Sequence, residues 1–305
     1  MKTPPLPQDA TLLVSYIMGV RLRPFVLQAF RTDFAMSATP FSKLDLFRRL
    51  CRDTTHAIVR FRMIRPGDRI LVGLSGGEDS LTLMHILTQL QRRSPIPFEL
   101  VPATVDLGFN TFRADVLQDY CARFGWQLQI ARLDGAALLR EKDAEERPCA
   151  LCSRLRRGQL HALADRLDCN SLALGQQLDD LCVSLLIALF RGGGLKTMGP
   201  NVPADAASKR LIRPLCLIPK SRIHEFALIA DYPRIKSCPY ERQLQESGDR
   251  AFIGQLLKDL EARFPDIKSA MLHGMGDVRL AHLLDLRYLH LDDDTTTPDP
   301  DRGKL

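Results

Sequence analysis

Residues 71–87 read LVGLSGGEDSLTLMHIL. An apolar run meets Ser75-Gly76-Gly77, two acids follow, and apolar residues then recur at helical spacing. A strand, a glycine turn and a helix in direct succession mark one half of a βαβ unit. The same alternation continues outward. Strands are expected over 69–74, 99–106, 127–133, 171–176 and 210–215, with helices over 80–92, 111–124, 153–167, 178–190 and 220–230. Upstream, 43–61 has helical spacing before the turn Arg65-Pro66-Gly67-Asp68. Apolar strands alternating with amphipathic helices predict an α/β fold, a doubly wound parallel five-stranded sheet. Beyond about residue 240, only helical patterns remain (249–264 and 269–284), a small C-terminal helical appendage. The expected division is an extension over 1–40, with Met36 as an alternative start; an α/β domain over 41–235; a helical region over 236–290; and a disordered acidic tail over 291–305.

The chain has 305 residues, 45% of them apolar, enough for a full core. Its longest apolar stretch, 11–20, is too short to span a bilayer and is followed by Arg21 and Arg23, which argues against both a membrane anchor and an export signal. The net charge of +6 is uneven: the tail 291–305 holds five Asp against one Arg and one Lys, so the body carries +9. That excess is compatible with a nucleic-acid partner and equally with an ordinary solvated surface. Eight cysteines lack the spacing of a disulfide scaffold. Cys51, Cys121, Cys169, Cys182 and Cys216 sit in apolar patterns and read as small buried hydrophobes, in a reducing, cytoplasmic compartment.

In a doubly wound sheet, ligands bind beyond the carboxyl ends of the strands. Ser75-Gly76-Gly77 falls there, where glycines admit a phosphate close to backbone N–H groups and a helix start adds partial positive charge. Neither GxxxxGK[ST] nor GxGxxG is present. The hexapeptide Ser75–Ser80 instead matches SGGxDS, the signature of the PP-loop ATP pyrophosphatases, which split ATP between its α and β phosphates. Asp79 belongs to that pattern and suits a helix start; Mg²⁺ carried by the nucleotide would offset its charge. Glu78 fills the variable position, commonly Lys, and is expected to face solvent. A second acidic pair, Asp179 and Asp180, stands after Gly175 between the fourth strand and its helix, on the same rim. Cys149 and Cys152 precede a helix carrying Arg154, Arg156 and Arg157. A lone CxxC allows a structural zinc site, a redox dithiol, or an iron–sulfur cluster completed by a distant cysteine, for which Cys238 is the best placed.

Taken together, residues 43–285 resemble the tRNA 2-thiocytidine synthetase family, TtcA. The resemblance rests on SGGEDS (75–80), PCALCSRLRRG (148–158), ALGQQLDD (173–180), LIRPL (211–215) and the late Cys238. It implies adenylation of the C2 oxygen of a cytidine in the tRNA anticodon loop with ATP and Mg²⁺, then replacement of that oxygen by sulfur with release of AMP. It implies a [4Fe–4S] cluster on Cys149, Cys152 and Cys238, with Cys149 and Cys152 serving the sulfur transfer. Ser75, Gly76, Gly77, Asp79, Ser80 and Gly175 would hold the nucleotide, and Asp179 and Asp180 would lie beside the activated base or the metal. The arginines 154, 156 and 157 would meet RNA or nucleotide phosphate, or simply form a solvated face. The implied partners are tRNA and a sulfur donor, either a cysteine desulfurase or a persulfide source, with a homodimer as an open expectation.

The sequence departs from that family at the second acid pair, usually GHHxDD. Gln176 and Gln177 stand where the histidines would be, and Gln cannot exchange a proton near neutral pH. This leaves the acceptor open: another RNA position, a small metabolite, or a non-catalytic nucleotide-binding iron–sulfur sensor are the rivals. The seven histidines show no metal-binding spacing, and Trp126 reads as a core residue.

Overall fold

A computed structural model describes residues 40–141, 148–203, 209–235 and 248–288. In chain order the elements are α1 (Asp45–Arg60), β1 (Asp68–Gly73), α2 (Glu78–Arg93), β2 (Phe98–Asp106), α3 (Ala114–Arg123), β3 (Gln129–Arg132), α4 (Gly135–Glu141) and α5 (Pro148–Arg166). They continue with β4 (Ser171–Ala173), α6 (Leu178–Phe190), β5 (Asn201–Pro203), β6 (Arg210–Ile212), α7 (Lys220–Ala230), α8 (Asp249–Arg263) and α9 (Ile267–Gly276).

The six strands form one sheet in the order β3-β2-β1-β4-β6-β5. All pairs are parallel except β5 with β6. The five expected parallel strands are therefore present, and a sixth, antiparallel edge strand is added. Its three residues are partly exposed and end in Pro203, a residue that sheets tolerate at their edges; so short a segment carries no periodic signal. Successive connections from β1 run one way to β2 and β3, whereas β4 returns to the other side of β1. The topological switch point thus lies between the carboxyl ends of β1 and β4.

Side chains alternate across the central strands. Ile70 and Val72 join a core with Phe47, Leu50, Leu83, Ile86 and Phe226, contributed by α1, α2 and α7. Leu71 faces the opposite way, into a second core with Ala103, Val105, Leu163 and Ala164 against α5. Trp126 packs within the first core as expected, beside the fully buried His85, whose Nε2 lies 2.7 Å from the Tyr120 hydroxyl. Cys121, Cys169, Cys182 and Cys216 are buried and Cys51 half-buried, consistent with a packing role.

The expectation that the cysteine pair precedes its helix needs correction. Helix α5 starts at Pro148, so positions 149 and 152 occupy its first turn. Proline suits that place because its fixed φ is helical and its missing N–H is one the helix start would not use. The C-terminal helices α8 and α9 pack on α6 through Leu178, Cys182, Leu257, Ile267 and Met271, and Arg191 is ion-paired to Asp249 at 2.5 Å. The expected helix over 269–284 is split into α9 and a 3₁₀ turn, Leu280–His282. The extension 1–39 and the tail from 289 lie outside the described residues.

Candidate active site

The glycine turn is braced internally. Ser80 Oγ accepts the Ser75 N–H at 3.1 Å and donates to the Gly77 carbonyl at 2.9 Å. Gly76 has φ +83°, and Ile235 packs so close that an added Cβ would lie 3.0 Å from it. This position therefore excludes a side chain on conformational and on steric grounds. Helix α2 begins at Gly77 with no side-chain cap, leaving its first N–H groups open to an anion. Across the switch point, Gly175 lies against the first turn of α2: a Cβ there would meet the Asp79 carbonyl carbon at 3.0 Å and Ser80 N at 3.1 Å. The two turns thus form one close-packed cradle.

Asp79 is the acid best placed to act. Its Oδ1 is buried and has no hydrogen-bond partner. Burial pushes its carboxyl up to about 6; Lys220 opposes the rise, while Asp180, Glu78 and Asp179 add to it. An orphaned carboxylate oxygen among other acids fits a divalent cation, whose charge would relieve both the desolvation and the repulsion.

The second acidic pair is tied more firmly than its sequence suggests. Gln177, only 2% exposed, accepts the Asp179 and Asp180 N–H groups, and Asp180 Oδ2 accepts the Gln177 N–H in return. At the position of Gln177 such a box needs a side-chain oxygen and not a titratable group. Asp179 accepts the Lys220 N–H at 2.8 Å through Oδ2 and pairs with Lys268 Nζ at 2.7 Å through Oδ1. Both of its oxygens are engaged, and the residue joins α6, α7 and α9. Asp180 keeps Oδ1 4.0 Å from Arg250, and burial raises its carboxyl above the ordinary range. Lys220 and Lys268 carried no sequence motif; their roles come from segments 41 or more residues away in the chain.

Glu78 faces solvent only in part, and it has a partner that the sequence did not suggest. It is 30% exposed and bonded to His224 Nδ1 at 2.9 Å. Its partner is 146 residues away in the chain, so no local pattern could announce it. Gln176, the other departure from the family pattern, accepts Arg213 Nε at 3.0 Å.

Beside the turn, a pocket of about 110 Å³ is lined by Gly73, Ser75, Thr104, Phe112, Arg156 and Leu160, among others. It is mostly apolar and opens at the carboxyl ends of β1 and β2, a shape and chemistry suited to a nucleobase. Arg156 and Leu160 belong to α5, so the helix that begins with the cysteine pair borders the same pocket as the glycine turn. Arg154 and Arg157 are exposed and Arg156 half-buried. Cys152 is 6% exposed within the second core. The side chain of Cys149 and all of Cys238 lie outside the described residues, and among the described residues no group of three metal-ligating side chains converges.

The family model for the PP-loop domain matches residues 50–233. A tRNA-cytidine(32) 2-sulfurtransferase of Syntrophotalea carbinolica is 39% identical over 251 residues, covering 81% of this chain and 95% of that protein. One of Pelobacter propionicus is 40% identical over 250 residues, covering 80% and 90%. The chain belongs to this PP-loop sulfurtransferase family. At 251 and 250 residues, these likenesses are longer than the stretch matched by the PP-loop model. Among solved structures, the U34-tRNA thiolase NcsA from Methanococcus maripaludis, determined with its [4Fe–4S] cluster, superposes with a TM-score of 0.60 at 22% identity, covering 76% of this chain and 78% of that one. That likeness speaks for a shared fold, in agreement with the switch-point topology described above. Among the described residues of this family member, no helix is long and apolar enough to cross a membrane.

Proposed function

We propose that this chain thiolates tRNA at the C2 position of a cytidine in the anticodon loop, in two stages of which the first consumes ATP. In the first, the base oxygen attacks the α-phosphorus of ATP and pyrophosphate leaves. In the second, a sulfur nucleophile attacks C2 and the oxygen departs within AMP. A C2 carbonyl has no leaving group of its own, so adenylation is what makes the substitution feasible.

One observation carries this reading: a nucleobase-sized pocket is lined both by Ser75 of the glycine turn and by Arg156 and Leu160 of α5, the helix whose first turn holds positions 149 and 152. Nucleotide activation and thiol chemistry would then share a rim. The open N–H groups at the start of α2 would hold the leaving pyrophosphate. Asp79, helped by Asp180, would hold Mg²⁺, as its unpartnered oxygen allows. Apolar walls would keep water from the adenylated base, whose hydrolysis would only restore cytidine.

Three thiols are a donor set for a [4Fe–4S] cluster, which would leave one iron without a protein ligand to present sulfur. Cys149, Cys152 and Cys238 would be that set. The low exposure of Cys152 suits a cluster shielded from water, and the described chain reaches Ile235, against Gly76, three residues before Cys238. Gln176 and Gln177 fit the reaction if neither has to move a proton, in keeping with the cap made by Gln177. A cysteine desulfurase or another persulfide source would supply sulfur to a cytoplasmic enzyme, and a homodimer is compatible with the reading.

The test is reconstitution of the anaerobically purified full chain. Brown protein that releases AMP only when tRNA is added, and a thiolated cytidine found by nucleoside mass analysis, are expected. The Cys149→Ala variant should lose the absorption near about 400 nm and the product together. Tight iron binding in Cys149→Ala, or AMP release indifferent to tRNA, would overturn the reading.

A further inference from the structure

Arg213 follows β6 directly and is 8% exposed. A guanidinium held inside a protein needs a counter-charge or a full set of acceptors. Here Nε donates to Gln176 Oε1 at 3.0 Å and an Nη donates to the Gly199 carbonyl. Both acceptors are neutral. Two of the five N–H donors of an arginine are thereby used; no Arg213 atom is among the buried polar atoms that lack a partner, so the remaining donors are open to solvent or to an incoming acceptor. No carboxylate among the described residues forms an ion pair with Arg213. Asp180 attracts it from a distance, but that carboxylate accepts the Gln177 N–H and lies 4.0 Å from Arg250.

A second cation makes the arrangement less favourable still. Burial, and after it repulsion by Arg157, lowers the Arg213 guanidinium below its ordinary value. Arg157 is exposed on α5, next in sequence to the Arg156 that lines the nucleobase-sized pocket, and it has no ion pair among the described residues. Two like charges, one of them buried against neutral acceptors, are poorly accounted for by packing alone. An anion between them would supply the missing charge and acceptors for the open donors together.

We propose that Arg213 and Arg157 bind one phosphate group, with Gln176 and the Gly199 carbonyl holding the Arg213 fork in place. Arginine suits this task because its planar fork stays charged and meets two phosphate oxygens at once. The phosphate is the α-phosphate of the nucleotide or a backbone phosphate of the RNA. That choice of sources rests on the function proposed above; the binding chemistry is common to both.

The test uses the full chain with Arg157→Gln and Arg213→Gln variants, titrated with AMP and, separately, with a tRNA transcript at several salt concentrations. Losing a charge-assisted hydrogen bond is expected to weaken one of these probes by roughly tenfold to a hundredfold. If the RNA supplies the phosphate, the slope of log K against log salt should shrink by about 0.7–0.9 for the lost contact, with AMP affinity unchanged. If the nucleotide supplies it, AMP affinity falls and the salt slope stays. Because Arg157 is exposed, its variant should fold even if the Arg213 variant does not. Unchanged binding of both probes by Arg157→Gln, with an unchanged Tm, overturns the proposal. So does an Arg213→Gln effect that lowers the Tm and weakens both probes alike while Arg157→Gln does nothing. A wild-type chain that binds AMP and ignores tRNA would instead refute the proposed function, leaving the AMP titration to judge the arginine pair.

Discussion

Replacing Gly175 with alanine tests whether the two turns at the switch point form one rigid cradle. The added Cβ would lie 3.0 Å from the Asp79 carbonyl carbon, 3.1 Å from its oxygen and 3.1 Å from Ser80 N, whereas ordinary contacts run from 3.4 to 4 Å. All three neighbours are backbone, so no rotamer change relieves the clash, and the rim of β4 must move off the first turn of α2 by several tenths of an ångström. Overpacking of that kind costs about 1–3 kcal/mol. Each kcal/mol lowers the Tm by about 2–4 °C in a domain of this size. The same shift moves the α2 N–H groups and Asp79, so ATP-dependent pyrophosphate release should fall by about tenfold or more. Urea unfolding, with pyrophosphate release measured in parallel, reads both effects. Gly254→Ala is the control: that glycine is inside α8 and an added Cβ meets nothing within 4 Å, so a gain of about 0.5–1 kcal/mol is expected. A Gly175→Ala protein as stable and as active as the wild type would show that the two backbones yield freely, and the rigid-cradle argument would fail.

Asp79→Asn should abolish pyrophosphate release with MgATP. The folded-state carboxyl is raised from 3.8 to about 6, so the ligand-free protein loses stability as the pH rises through that window. The Asn variant should therefore be more stable by up to about 3 kcal/mol above pH 6 and equal near pH 3; equal stability at all pH values would refute the burial argument. His85 behaves in the opposite sense, because burial pushes its imidazole down to about 3. Below its ordinary value of 6.5 only the unfolded chain takes the proton, so His85 contributes a loss of about 1.4 kcal/mol per pH unit on acidification. His85→Phe should lack that part of the slope when chemical unfolding is compared at pH 6 and 4.5. Lys268→Met removes the cation that joins Asp179 and Glu261, both 2.7 Å away. With Glu261 39% exposed, the expected loss is about 1–3 kcal/mol, less than for a fully buried pair. Hydrogen exchange should rise in α9 while the sheet stays protected; unchanged protection in α9 would show that apolar packing alone holds the appendage.

What could be read in advance was whatever repeats within a few residues. The strand-to-helix pattern of 71–87 and the five parallel strands follow from apolar periodicity, because the two faces of a strand and the stripe of a helix impose their own spacing. The glycine turn was legible for a similar local reason, since only glycine tolerates φ +83° with Ile235 pressed against it. The start of α5 was missed because a proline that begins a helix and one that interrupts a chain look alike without a partner.

The amino-acid sequence by itself determined the layered α/β architecture, the glycine turn after β1 and the family motifs. Only the tertiary structure decided which of the acids are free to act. Asp179 is held at both oxygens, Glu78 is paired with His224, and Asp79 is left with an unpartnered oxygen. The reason is physical: a carboxylate's availability depends on which donors the fold brings against it, and here those donors come from α7 and α9, far along the chain, where no local pattern records them.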